Sequence, residues 1–323
     1  MKPADHAKLD YSDADQRAIE WLLASDEPGI RMQAQRDLLG EKVKPDRDEI
    51  LGGAIVSRLL AGQKADGGFG VHPYQKWTGA HWRLVSLIEL GVPSGVPAVM
   101  AALAHSMARF TPDEPDTVPQ IRGLPRIHGS IYANALAVAV RLGQARDTRA
   151  RDIAAWLVMW QWPDGGWNCD RHPDATHSSF YESITPMWAL AEYANATGDN
   201  AAADASRRAA EFFLEHRVYK SHSAEGPGDP KWTRLRYPEY WHFDYLHGLV
   251  LLARAGTLPD SRAADALRLL REQQGPDGRW QPDGAQYWKG ATGLYGDPAR
   301  WTRETAGQML TLNALRVLRA AGG

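Results

Sequence analysis

The segment best supplied for chemistry is Tyr237-Pro-Glu-Tyr-Trp241-His242-Phe-Asp244. A carboxylate set among Trp241, Phe243 and Tyr245 would have its pKa raised by desolvation and could serve as an acid near neutrality. His242 is its candidate partner, although alternate residues diverge around a helix and the two need not point the same way. Asp244 also reads as the N-cap of the helix that follows, and His242 as a satisfied polar residue. Glu182 is a second candidate acid, yet Ser179-Phe-Tyr-Glu182 has the spacing of a capping box. His128 ends the loop Arg122-Gly-Leu-Pro-Arg126-Ile-His128 and is either a general base or a helix cap. Arg122 and Arg126 could bind an anion. Arg303 and Glu304 stand at a helix start, where an acid stabilises the helix dipole.

These residues depend on the elements that position them. Helical periodicity dominates, and about twelve helical segments can be drawn, roughly 14–24, 28–39, 47–62, 79–90, 95–109, 129–142, 147–161, 180–196, 199–216, 241–255, 260–274 and 304–321. Asp147 and Asp260 read as N-caps, and Gly91, Gly143, Gly198 and Gly256 as C-cap residues. Pro186 suggests that the eighth helix begins later than drawn. One turn is written three times: Gln63-Lys-Ala-Asp66-Gly67-Gly68-Phe69, Gln161-Trp-Pro-Asp164-Gly165-Gly166-Trp167 and Gln274-Gly-Pro-Asp277-Gly278-Arg279-Trp280. A pattern recurring at long, near-equal spacing marks a repeated architecture.

Short connections alternate with long ones, and each long one precedes a presumed inner helix. The expectation is an all-α fold, a double helical toroid of (α/α)6 type, forming one domain over 1–323 with its core at about 14–321. The starts of the inner helices should then meet at one mouth. They carry His81 and Trp82; His128, Ser130 and Tyr132; Ser178, Tyr181 and Glu182; Trp241, His242 and Asp244; Arg303 and Glu304. Asp244, His242, Glu182 and His128 are the candidate catalytic groups. His81, Trp82, Tyr132, Tyr181, Trp241, Arg303 and Glu304 are the candidate substrate contacts. Converging helix N-termini favour an anionic ligand.

Composition narrows the classes. The chain has 323 residues with a formal net charge of −2, so nothing suggests a nucleic-acid footprint. Its single cysteine excludes an internal disulfide. No signal-peptide h-region and no apolar run long enough to span a membrane is visible, so a soluble cytoplasmic protein acting on a small molecule is expected. Thirteen tryptophans are many. Phe69, Trp167 and Trp280 belong to the repeated turns and read as structural. Trp77, Trp82, Trp241, Trp288 and Trp301 are better placed to contact a ligand.

The three Gln-x-x-Asp-Gly-x-aromatic turns resemble the QW motifs of the terpenoid-cyclase and protein-prenyltransferase superfamily. In that superfamily the Gln bonds backbone at a helix end and the aromatic wedges between helices. Trp77-Thr-Gly-Ala-His81-Trp82 and Tyr237-Pro-Glu-Tyr-Trp241-His242-Phe-Asp244 resemble the small squalene-cyclase-like proteins of bacteria. The resemblance covers roughly 14–321 and implies an isoprenoid-processing enzyme. It departs in its chemistry: there is no Asp-x-Asp-Asp, the class II acid, and no Asp-Asp-x-x-Asp. The prenyltransferases hold zinc with Asp-x-Cys and a distant His, whereas this chain has Asn168-Cys169-Asp170. The expectation is no cofactor, with a zinc site through Cys169 and His177, together with His242 or Asp244, as the alternative. Two other functions stay open, a carbohydrate lyase or hydrolase with paired carboxylates and a ligand-binding protein without catalysis.

Overall fold

A computed structural model describes residues 11–110, 112, 114–221, 226–283 and 296–322. Among them the chain forms thirteen α-helices: α1 (Asp13–Leu23), α2 (Pro28–Asp37), α3 (Arg47–Gly52), α4 (Ala54–Leu60), α5 (Ala80–Glu89), α6 (Pro97–Met107), α7 (Gly129–Arg141), α8 (Thr148–Met159), α9 (Phe180–Thr197), α10 (Asn200–Glu215), α11 (Tyr245–Arg254), α12 (Ala264–Glu272) and α13 (Arg303–Ala320). One two-residue antiparallel ladder, Gln120–Ile121 with Leu124–Pro125, lies in the loop before α7. The expected caps hold: Asp147 accepts from Arg149 N–H and Asp260 from Arg262 N–H.

The helices drawn over 47–62 and from 241, and the reading of Pro186, differ from the sequence expectation, each for a local reason. The segment drawn as 47–62 is two helices broken at Gly53. The buried Glu27 carboxylate enters the break and accepts from Ile55 N–H at 3.1 Å, and a Cβ on Gly53 would meet that carboxylate at 2.3 Å. The helix drawn from 241 starts at Tyr245, because Asp244 is its N-cap. Pro186 does not delay α9, which runs through it from Phe180. A proline leaves the carbonyl four residues earlier without its helical donor. That carbonyl belongs to Glu182, and α7 packs onto it so closely that a Cβ on Gly129 would sit 2.8 Å away.

The repeated turn is a staple between helices. Gln63 Nε2 donates to Gly67 O at 3.0 Å and to Ala98 O of α6 at 2.8 Å. Gln161 does the same to Gly165 O and to Ala205 O of α10, at 2.7 and 2.8 Å. Gln274 donates to Gly278 O at 3.1 Å and to the Asp15 carboxylate of α1 at 2.8 Å. The glycine of each turn has φ between +82° and +95°. A Cβ there would meet the backbone of α6, α10 or α1 at 2.4 Å or less. The third staple therefore joins the last repeat to the first helix, and Arg271 adds an ion pair to Asp15 at 3.0 Å. Trp167 and Trp280 are fully buried and donate Nε1 back to Leu157 O and Leu270 O of the helices that precede their turns.

α9 packs along both α7 and α10, and further pairings link α5 with α7, α9 with α11, α11 with α13, and α13 with α2. The C-terminal ends of α2, α7, α11 and α13 surround one cavity of about 270 Å³. The charges there are matched. Arg254 makes a bidentate pair with Glu89 at 2.7 Å, Arg141 pairs with Glu192 at 2.8 Å, and Arg316 pairs with Asp37. Cations near helix C-termini offset the dipole. A cavity of about 40 Å³ lies between α5, α7, α9, α11 and α13, bordered by Glu89, Asn134, Trp188, Glu239, His247 and Arg254. No helix of the described residues is long and apolar enough to cross a membrane.

Candidate functional site

The start of α9 meets the start of α7 because Gly129 allows the close approach, and this contact builds a polar cluster. Glu182, in the first turn of α9, is buried. Its Oε2 accepts from Ser130 N–H at 2.9 Å and from Ser130 Oγ at 2.8 Å. Its Oε1 accepts from Cys169 Sγ at 3.1 Å and lies 3.4 Å from His128 Nδ1. Burial opposes ionisation of Glu182, but the hydrogen bonds from His128, Ser130 and Cys169 outweigh it and hold the carboxyl below its ordinary value. The same burial, with the Glu182 charge, pushes the Cys169 thiol up to about 12. Burial and the charges of Glu182 and Cys169 raise the Tyr74 phenol to about 12 as well.

Glu182 is thus not a capping-box partner. Ser179 is the N-cap of α9 but makes no side-chain cap, and its N–H donates to Trp167 O instead. His128 occupies the N-cap position of α7, also without a side-chain cap; its side chain is 61% exposed and faces Glu182. His128, Cys169 and Glu182 offer ligand atoms within 4.8 Å of one another. His177 stands outside that group. It is exposed, and its backbone carbonyl accepts from Asn168 Nδ2. His242 and Asp244 are outside it too.

Asp244 and His242 are turned to different partners. Asp244 is 0% exposed; it accepts from His247 N–H at 2.8 Å and from Arg236 N–H at 3.2 Å. Burial raises its pKa to about 6 against these hydrogen bonds. The neighbouring Glu239 is also raised, by burial first and then by the charge on Asp244. His242 stacks on Trp241 with ring centroids 4.0 Å apart, its Nδ1 is 3.2 Å from Glu239 O, and burial lowers its pKa to about 4. Sequence reasoning passed over Glu239 and Tyr74. The only signal for Glu239 was its place inside the aromatic segment.

The other candidates divide between wall and core. Tyr181 Oη accepts from Trp232 Nε1 at 3.1 Å, and its ring lies 6.0 Å from that of Trp241. Lys76 Nζ sits 4.6 Å from the Trp241 ring centroid. Trp77 stacks on Tyr240. Tyr132 is half-buried and packs against Trp156 at 4.5 Å. Trp82 is fully buried and donates to Tyr74 O. His81 is buried among Tyr74, Trp82 and Phe110, where desolvation lowers it to about 3. Arg303 and Glu304 are exposed in the first turn of α13, whose capping box is Thr302 with Thr305. Arg126 is buried over the Trp162 ring with no hydrogen-bond partner for its guanidinium. Arg122 is exposed beside Asp174. Trp301 is buried edge-on to Tyr237, and Trp288 lies outside the described residues.

Beside the start of α9 is a cavity of about 570 Å³, bordered by His177, Phe180, Phe212, His216, Lys220 and Trp232. That volume falls within the usual range for small-molecule sites.

No family model and no curated protein sequence matches the chain. Among solved structures it is similar to a protein from Actinoplanes, at 18% identity over 96% of this chain and 99% of that one, with a TM-score of 0.49. It is also similar to the type II terpene cyclase MstE from Scytonema without ligand, at 14% identity over 83% and 96% of the two chains, with a TM-score of 0.30. The MstE R337A variant in complex with geranylgeranyl dihydroxybenzoate, its substrate, gives 16% identity over 83% and 95%, with a TM-score of 0.27.

Proposed function

We propose that the chain is a double α-helical toroid of terpenoid-cyclase type that takes an isoprenoid or another apolar small molecule beside α9. One observation carries this reading: the cavity of about 570 Å³ has an aromatic wall of Phe180, Phe212 and Trp232. Trp232 is tied to Tyr181, whose ring lies 6.0 Å from that of Trp241. In this reading Glu182 and His128 supply the reactive groups, and Asp244 holds the fold.

A second reading, binding without turnover, draws on the same cavity. The carbohydrate reading loses ground, because it needs two carboxylates facing one cleft and Asp244 is fully buried while Glu304 is exposed on α13.

The test is a titration of tryptophan fluorescence with farnesol and geranylgeraniol, with maltohexaose as the contrast. Saturable quenching by the two alcohols, lost in Phe212→Lys, is the expected result. A wild-type protein that ignores both alcohols, or a Phe212→Lys variant that binds them unchanged, refutes the proposal.

A further inference from the structure

We infer that His128, Cys169 and Glu182, among the described residues, supply three ligands to a site for a divalent transition metal, zinc above others. The three come from separate segments: the loop before α7, the loop after the second staple, and the first turn of α9. Metal–ligand bonds of about 2.0–2.3 Å place tetrahedral N, O and S ligand atoms roughly 3.4–3.6 Å apart. In the structure His128 Nδ1 and Cys169 Sγ lie 3.4 and 3.1 Å from the same carboxylate oxygen, and all three ligand atoms fall within 4.8 Å. A small rotation of the exposed His128 ring closes the remaining gap.

The site has the support that metal ligands require. Ser130 N–H and Oγ both hold Glu182 Oε2, which leaves Oε1 directed at Cys169 and His128. Such outer hydrogen bonds fix a ligand's orientation. One imidazole, one sulfur and one carboxylate suit zinc better than the oxygen-seeking magnesium or calcium. On binding, the Cys169 proton passes to solvent and Sγ takes the metal as a thiolate, so uptake releases a proton. The inference shares His128 and Glu182 with the apolar-ligand reading but rests on their geometry with Cys169, and its probe is the metal alone.

The experiment loads the metal-free full-length protein with Zn(II) and, separately, with Co(II). The expected result is one ion per chain, with cobalt giving a sulfur-to-metal charge-transfer band and the ligand-field bands of a tetrahedral site. Cys169→Ser should abolish the charge-transfer band. Ser130→Ala should weaken Zn(II) binding about 10- to 100-fold, and His128→Ala by more. His128 is exposed, so its replacement should leave the fold intact, as a circular dichroism spectrum checks. Binding of less than one ion per chain, or a cobalt spectrum unchanged by Cys169→Ser, overturns the inference; the farnesol titration is unaffected by either outcome.

Discussion

Replacing Asp244 by Asn separates a helix cap from a charge. Asn caps a helix about as well as Asp, but it cannot ionise. In the wild type the carboxyl is fully buried, and its pKa rises from 3.8 to about 6. One pKa unit corresponds to about 1.4 kcal/mol, so this rise of about two units is worth about 3 kcal/mol. The sign follows from proton binding. Between pH 4 and 6 the folded chain holds a proton that the unfolded chain has released, so stability is greatest below pH 4 and falls as pH rises through 6. The variant lacks this loss. Its Nδ2 will face Arg236 N–H or His247 N–H, and that mismatch costs about 1–3 kcal/mol at every pH. The clean quantity is therefore the change with pH: the stability of Asp244→Asn relative to wild type should improve by about 3 kcal/mol between pH 4 and pH 7. Urea unfolding at a series of pH values measures it. Parallel pH profiles for the two proteins would refute the argument that Asp244 is a desolvated carboxylate serving as a cap.

Two further perturbations test the scaffold. Gln161→Ala removes both bonds of the second staple and should cost about 1–3 kcal/mol in urea unfolding. Gly165→Ala should cost more, roughly 3 kcal/mol or above, because φ is +95° and the new Cβ would lie 2.4 Å from Arg208 O; equal losses would contradict the close approach. Arg254→Met breaks the bidentate pair with Glu89 and should cost about 3–5 kcal/mol at pH 7. Burial opposes ionisation of Glu89, yet Arg254, Arg141 and Arg316 hold it at about 2. That stabilisation is present above pH 4.5 and is lost as pH falls toward 2, so the Arg254→Met penalty should shrink in acid.

The sequence by itself determined the helices and the staples. Periodicity and capping are local, so α1, α5, α7, α9, α10 and α13 fall within a few residues of where the pattern puts them. The Gln-x-x-Asp-Gly turn is local too, and the family resemblance implied the backbone-binding role of its amide; the second partner of each Gln, on α6, α10 or α1, is distant in sequence. What the sequence left open depended on groups brought together from afar. Glu27 splits α3 from α4 across 28 residues of chain. Ser130, 52 residues from Glu182, takes that carboxylate away from the capping box its spacing suggested. Burial, which no spacing encodes, surrounds Asp244 at the N-cap of α11, and packing brings His128, Cys169 and Glu182 together. Local hydrogen bonding selects the elements; only long-range packing decides which titratable groups meet, which are desolvated and which face solvent.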